Sequence, residues 1–362
     1  MRRKVSSRLS RRRFVAGATA VAAALTAAPL RVRAAGEASV SVYNWEAYIG
    51  EHTLDTFARR TGIAVAYDLY ANNEELFASL RHGNPGYDVI FPSDYMVETM
   101  ISLNMLTPLD HGSIPNLRHI DRDPNFSDPP FNRRLRFGVP YMWGTMGIGY
   151  RRSALDRAPD SWAWIFDEAK SEAFEGRIAV LNDRRVMIGV ALKYLGYSMN
   201  STTAREIVEA RDLLIRAKKN IRTFAPDSGQ DLLLVGDVDI AVEWNGDIGR
   251  AQANDGDIGY AVPREGSMLW MDNVCIPRSA PHARNAHAFI NHLLDPAVNA
   301  EIANFVHFAT ANATARERIN PADLNDPIVY APPWLVARCE ALADVGEYRR
   351  LYDEAWTAIL AA

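Results

Sequence analysis

At 362 residues, with 48% hydrophobic and 23% charged residues and no low-complexity run, the chain is long enough for two domains of ordinary size and too apolar to be a disordered protein. Its formal net charge is −4, but nine of its 40 Lys and Arg residues fall in positions 1–34, where there is no acid, so the remainder carries −13. A surface that acidic argues against nucleic acid and anionic membranes as partners and is compatible with cationic ligands.

Residues 1–34 read as a secretory signal: a basic start, a small-residue apolar stretch over 15–30, and Val32-Arg33-Ala34 ahead of a cleavage point after Ala34. The run Ser10-Arg11-Arg12-Arg13-Phe14-Val15 resembles a twin-arginine signal. The alternative, an N-terminal membrane anchor, is disfavoured because the stretch is short and Ala-dominated. No later stretch approaches the roughly 20 apolar residues of a membrane span, so the mature chain is expected not to insert in the membrane.

The first predicted elements alternate strand and helix. Residues 40–43 alternate as a strand, and a helix over 53–60 ends at Gly62. A second strand covers 63–67, Asn72 caps a helix running to about 81, and a third strand covers 88–91. Ser93 stands where it could cap a helix over 94–103. This βαβαβ order predicts a mostly parallel sheet with helices on its faces.

The pattern returns later without sequence repetition: a strand over 177–181, helices over 184–195 and 203–219, a strand over 238–243, and a short helix after Gly246. Two α/β lobes are implied. The extended stretches 137–150 and 257–277 read as connections between them, and helices from about 284 onward pack back on the sheets. Cys275 and Cys339 are read as free and buried, with a disulfide as the alternative. His287 and His292 read as surface residues of a helix. With His282 they are spaced by five, which does not hold metal ligands on one helical face.

In open α/β sheets ligands bind beyond the carboxyl ends of strands, and the chemistry-bearing residues gather there. Strand ends lead into Trp45-Glu46-Ala47-Tyr48, Ser93-Asp94-Tyr95, Asn182-Asp183 and Glu243-Trp244-Asn245-Gly246-Asp247, and the second connection holds Trp270-Met271-Asp272. Nearly every site pairs a ring with a carboxylate. Carboxylates replace the water around an ammonium group, while Trp and Tyr rings sandwich methylenes and attract the cation by about 0.5–2 kcal/mol per contact. Each Trp could instead be core and each Asp a helix cap. Five such sites at strand ends weaken that alternative.

The motifs Tyr43-Asn44-Trp45, residues 88–93, Pro140-Tyr141-Met142-Trp143-Gly144, Leu195-Gly196-Tyr197-Ser198, Trp244-Asn245-Gly246 and Trp270-Met271-Asp272 occur in this order. Over nearly all of the mature chain the sequence resembles the bacterial periplasmic spermidine/putrescine-binding proteins. The resemblance implies a type II periplasmic binding protein fold, two α/β lobes joined by crossover strands with the ligand cleft between them. It puts 36–145 plus 272–316 in one lobe and 146–271 plus 317–362 in the other. It implies a polyamine ligand, an inner-membrane ABC permease as partner, a monomeric state, and neither cofactor nor metal.

The resemblance also carries ligand positions. Trp45 and Tyr48 match a ring and a hydroxyl of the first lobe, and Ser93 and Tyr95 match a pair contacting one terminal amine. Asp183, Trp244 and Asp272 match positions holding amines or the chain between them, Trp270 a cleft ring, and Asp247 a carboxylate of putrescine-preferring members. Phe308 keeps the ring but lacks the hydroxyl of a common Tyr. Val186 and Leu342 stand where relatives use Glu and Gln, and Glu46 adds a carboxylate where relatives have Ser or Thr. Ligand length is therefore open, and a modified polyamine or another cationic solute is an alternative. An exported carboxylate-based hydrolase is disfavoured: no Gly-x-Ser-x-Gly elbow occurs, and neither cysteine has an evident catalytic partner.

Overall fold

The computed structural model describes residues 38–362, so the signal-peptide reading of 1–34 lies outside the described residues. Among the described residues eleven strands form one mixed sheet: β1 Ser39–Trp45, β2 Ala64–Tyr70, β3 Val89–Ile90, β4 Gly138–Arg151, β5 Ile178–Leu181, β6 Ile221–Ala225, β7 Ile240–Trp244, β8 Ile258–Ala261, β9 Met268–Cys275, β10 Ala309–Thr310 and β11 Glu340–Ala341. The order is β2-β1-β3-β9-β4-β7-β5-β6, with β8 and β10 on β4 and β11 on β9.

The two ends of the sheet are parallel. β1 pairs with β2 from Ser39↔Ala64 to Trp45↔Tyr70, and β5 pairs with β6 and β7. Between them run the two long strands that the sequence marks as connections. β4 pairs antiparallel with β9 over Gly138–Thr145, then exchanges partner and pairs with β7 over Met146–Tyr150. Its residues 138–150 are all buried, as expected of a strand covered on both faces. The 257–277 stretch is only partly a connection: β8 adds to the edge of β4, and the crossing falls to β9.

Local chemistry explains the helix ends. Gly62, at φ 71°, closes helix Thr53–Thr61 by donating to Ala58 O, a left-handed cap that costs a glycine little. Asn72 caps helix Asn73–Leu80, accepting from Glu75 N at 2.9 Å. The buried Asp88 carboxylate accepts from Ser41 N at 2.8 Å and His282 N at 2.6 Å, tying β1 to the start of helix Ala283–Leu293.

Two expectations need correction. His287 and His292 are buried rather than on the surface. Helix Ala283–Leu293 is covered on both sides: His287 Nε2 accepts from Asp110 N at 2.9 Å, and its Nδ1 lies 2.6 Å from Ala283 O. His292 Nε2 lies 3.1 Å from Thr53 O, its ring meets Phe57, and burial lowers its pKa. Both cysteines are free, but only Cys275 is fully buried; Cys339 is partly exposed.

Candidate functional site

The C-terminal ends of β1 and β3, and the stretch of β9 that runs antiparallel beside β3, bring Trp45, Tyr48, Ser93 and Asp272 together. Ser93 follows β3 and occupies the N-cap position of helix Asp94–Ser102, yet its side chain caps nothing. Its hydroxyl instead donates to Asp272 Oδ1 at 2.6 Å and accepts from Asn73 Nδ2 at 3.0 Å. Asn73 Oδ1 also accepts from Ser93 N at 3.1 Å, so Asn73 fixes the serine from two directions. The cap expected from sequence is thus replaced by a contact to β9.

Asp272 is buried, and burial raises its pKa to about 7 against the pull of Ser93 and Tyr48, which favour the charged form. The Tyr48 hydroxyl lies near enough to act on Asp272 but makes no hydrogen bond of standard geometry, so it retains hydrogen-bonding capacity. Neighbouring Asp94 is also buried; burial is the main cause of its raised pKa, and Asp272 adds to it. Asp272 has no Lys or Arg partner among the described residues.

Aromatic rings wall this carboxylate. Tyr48 meets Tyr141 edge-on at 5.2 Å and Phe308 at 5.6 Å. Phe308 meets Trp270 at 4.8 Å, and Trp270 meets Trp244 at 6.1 Å, both near perpendicular. Trp45 is held by its indole N–H to Phe91 O at 2.8 Å and tilts against Tyr70, whose hydroxyl donates to the same carbonyl at 2.6 Å. Two glycines make this packing possible. A Cβ at Gly246 would overlap the Phe308 ring, and one at Gly144 would overlap Asn245 and sit 2.7 Å from Trp270 Cζ2.

The other predicted residues divide between two flanks. Asp183 caps helix Arg184–Tyr194, its Oδ1 accepting from Arg185 N at 2.8 Å and Val186 N at 3.0 Å, so one oxygen is committed to the backbone. Tyr95 lies on that side: burial raises its pKa most, and the charges of Glu74 and Asp183 raise it further. Tyr95 and Arg185 line a cavity of about 240 Å³ that also touches Glu74, Thr99 and Asp344.

Asp247 lies on the opposite flank, in the first turn of helix Asn245–Asn254, where it forms an ion pair with Arg250. Burial raises it to about 7, Arg250 pulls it down, and Asp227 and Asp231 push it up. Its carboxylate gathers with those of Asp227 and Glu243, within 4.8 Å of one another. Both Glu243 oxygens already accept backbone N–H groups, from Trp244 at 3.1 Å and Gly229 at 2.9 Å. Glu46 is exposed and close enough to Asp227 for its charge to raise that group.

Sequence reasoning missed Asn73, Asp227 and Arg250. Asn73 follows the capping Asn72 and looks like the first residue of a helix. Arg250 stands three residues after Asp247, a spacing typical of a surface pair.

The chain as a whole has known relatives. The sequence pattern of the family described as "Bacterial extracellular solute-binding protein" matches residues 53–329. A spermidine/putrescine-binding periplasmic protein of Salmonella typhimurium is 32% identical over 86% of this chain and 88% of its own. A putrescine-binding periplasmic protein of Pseudomonas aeruginosa is 31% identical over 90% of this chain and 93% of its own. The solved structure of a putative spermidine/putrescine ABC transporter protein from Listeria monocytogenes superposes with a TM-score of 0.84 at 31% identity, covering 89% of this chain and 99% of that one. The fold is thus the mixed α/β fold of periplasmic binding proteins. By pattern, identity and fold the chain belongs to the bacterial extracellular solute-binding proteins, in the spermidine/putrescine-binding branch, a family that binds solutes rather than transforming them.

Proposed function

We propose that the mature chain is a periplasmic binding protein that captures a linear polyamine of the putrescine or spermidine kind and delivers it, as a monomer, to an ABC importer. One terminal ammonium pairs with Asp272, which Ser93 orients and Tyr48 supplements, while the methylene chain lies among Trp45, Trp244, Trp270 and Phe308. Tyr95 and Asp183 serve one flank of the cleft, Glu46 and Asp247 the other.

The observation that carries this reading is a buried carboxylate without a cationic partner, held by a serine and walled by aromatic rings. Such a site stabilises an ammonium ion: the carboxylate supplies charge, and the rings supply apolar and cation–π contact. The relatives' putrescine and spermidine specificities support the same ligand class.

The division into lobes near 145/146 and 271/272 is supported by the exchange of β4 partners between Thr145 and Met146. Closure about β4 and β9 would exclude water and strengthen the ion pair. The export signal is of the twin-arginine type, a reading supported by Arg11-Arg12 before a mildly apolar stretch.

Calorimetric titration of the purified mature protein with putrescine, cadaverine, spermidine and spermine tests the function. At least one should bind. A sugar or an anion binding where all four fail would contradict it.

A further inference from the structure

The flank holding Asp247 carries more negative charge than its one cation balances. The carboxylates of Asp227, Glu243 and Asp247 lie within 4.8 Å of one another, and Glu46 and Asp231 are close enough for their charges to act on them. Among the described residues Arg250 is the one cation that pairs with any of these five. It is committed: it pairs with Asp247, donates to Val306 O at 2.9 Å at the carbonyl end of helix Pro296–Val306, and stands 5.8 Å from the centroid of Phe308. Glu243 is committed too, fully buried with both oxygens accepting backbone N–H groups. Asp227 and Glu46 are left, both exposed and neither in an ion pair among the described residues. Asp227 follows β6 and Glu46 follows β1, strands near opposite ends of the sheet, yet their two charges are close enough to repel.

A run of rings joins this pair to the Asp272 subsite. Tyr48, 4% exposed, has a hydroxyl without a hydrogen-bond partner beside Asp272. Its ring meets Phe308 at 5.6 Å, Phe308 meets Trp270 at 4.8 Å, and Trp270 meets Trp244 at 6.1 Å. The Trp244 side chain reaches Asp227 and favours its charged form. A methylene chain laid along these rings from Asp272 therefore ends at Asp227. An ammonium there has three N–H donors for two facing carboxylates, and it removes their repulsion.

We propose that Asp227, with Glu46 across from it, is the specificity-determining residue that holds the second terminal ammonium of the ligand, so that the site selects a chain with an ammonium group at each end over a single amine. Asp247 serves this flank by holding Arg250. The proposal rests on the polyamine reading and names the residues for the far end of the ligand.

The test is calorimetric titration of wild type, Asp227→Asn, Asp227→Gly and Glu46→Gln with putrescine and spermidine, and with butylamine, which carries one ammonium, read by competition. Asp227 has φ 50°, a conformation that Asn and Gly both tolerate, and a thermal melt of each variant establishes folding. Both Asp227 variants should bind the polyamines about tenfold or more weakly and butylamine as wild type does. Glu46→Gln should show the same selective loss by a smaller factor. Polyamine affinity unchanged in the Asp227 variants, or a loss shared equally by butylamine, would overturn the role of Asp227 and leave the polyamine reading standing. Failure of wild type to bind either polyamine would overturn both.

Discussion

The Ser93 hydroxyl donates to Asp272 Oδ1 at 2.6 Å across 179 positions of sequence, and the two residues also form an isolated antiparallel bridge. This single contact ties the end of β3 to the crossing strand β9. It places the carboxylate where two parts of the sheet meet. A charge so placed can respond both to a ligand and to movement about the crossing strands.

Asp272 should give opposite pH slopes for stability and for binding. Its pKa in the folded protein, about 7, lies above the ordinary aspartate value. The folded state therefore keeps a proton that the unfolded state has lost. The stabilisation is complete below about pH 4 and is lost as pH rises through about 7. The melting temperature of ligand-free wild type relative to Asp272→Asn should thus fall between pH 5 and 8. Binding an ammonium requires the ionised form, so amine affinity should rise across the same range. Parallel slopes would show that Asp272 does not titrate as described.

Asn73→Ala tests the positioning of Ser93. The variant loses the hydrogen bonds at 3.0 and 3.1 Å that hold the serine. Net hydrogen-bond contributions of about 1 kcal/mol each predict a five- to thirtyfold loss of amine affinity. Because both of the standard-geometry hydrogen bonds of the Asn73 side chain go to Ser93, combining Asn73→Ala with Ser93→Ala should cost little more than Ser93→Ala alone. Full additivity in that double-mutant cycle would remove Asn73 from this role.

Gly246→Ala should loosen the aromatic wall. The added methyl overlaps the Phe308 ring, which must shift against Trp270 and Tyr48. Overpacking of this kind costs about 1–3 kcal/mol. Both the melting temperature and amine affinity should fall. An unchanged melt and unchanged affinity would mean that the ring yields freely and does not shape the site.

Replacing Arg11 and Arg12 together with Lys should leave precursor in the cytoplasm, read by fractionation and immunoblot. Normal periplasmic accumulation of that variant would rule out the twin-arginine route without ruling out export.

Much of this was legible in the sequence because it is local. Gly62 and Asn72 act on their own helix ends, and β1, β2 and β5 follow from apolar patterning. The aromatic and acidic residues stand at strand ends, so their convergence follows from the topology of an α/β sheet. What was not legible depends on distant partners. Ser93 looks like a cap because capping and reaching β9 call for the same residue in the same place. His287 and His292 look exposed until the coverage of their helix is known. The two-residue strands β10 and β11 carry no periodicity, and Arg250 gains its meaning only from Phe308 and Val306.

The central claim, that Asp272 holds a ligand ammonium, is tested most directly by calorimetric titration of Asp272→Asn beside wild type with the tightest-binding of the four amines, together with both melting curves. The variant keeps the shape and removes the charge. Stranding one partner of a buried charge pair costs about 3–5 kcal/mol, so affinity should fall several hundredfold or more at about 1.4 kcal/mol per factor of ten, with the protein still folded. Trp270→Leu should cost less, since it exchanges ring contact for aliphatic contact. An Asp272→Asn variant with a changed melting temperature but undiminished amine affinity would contradict the claim and reduce Asp272 to a structural tie between β9 and Ser93.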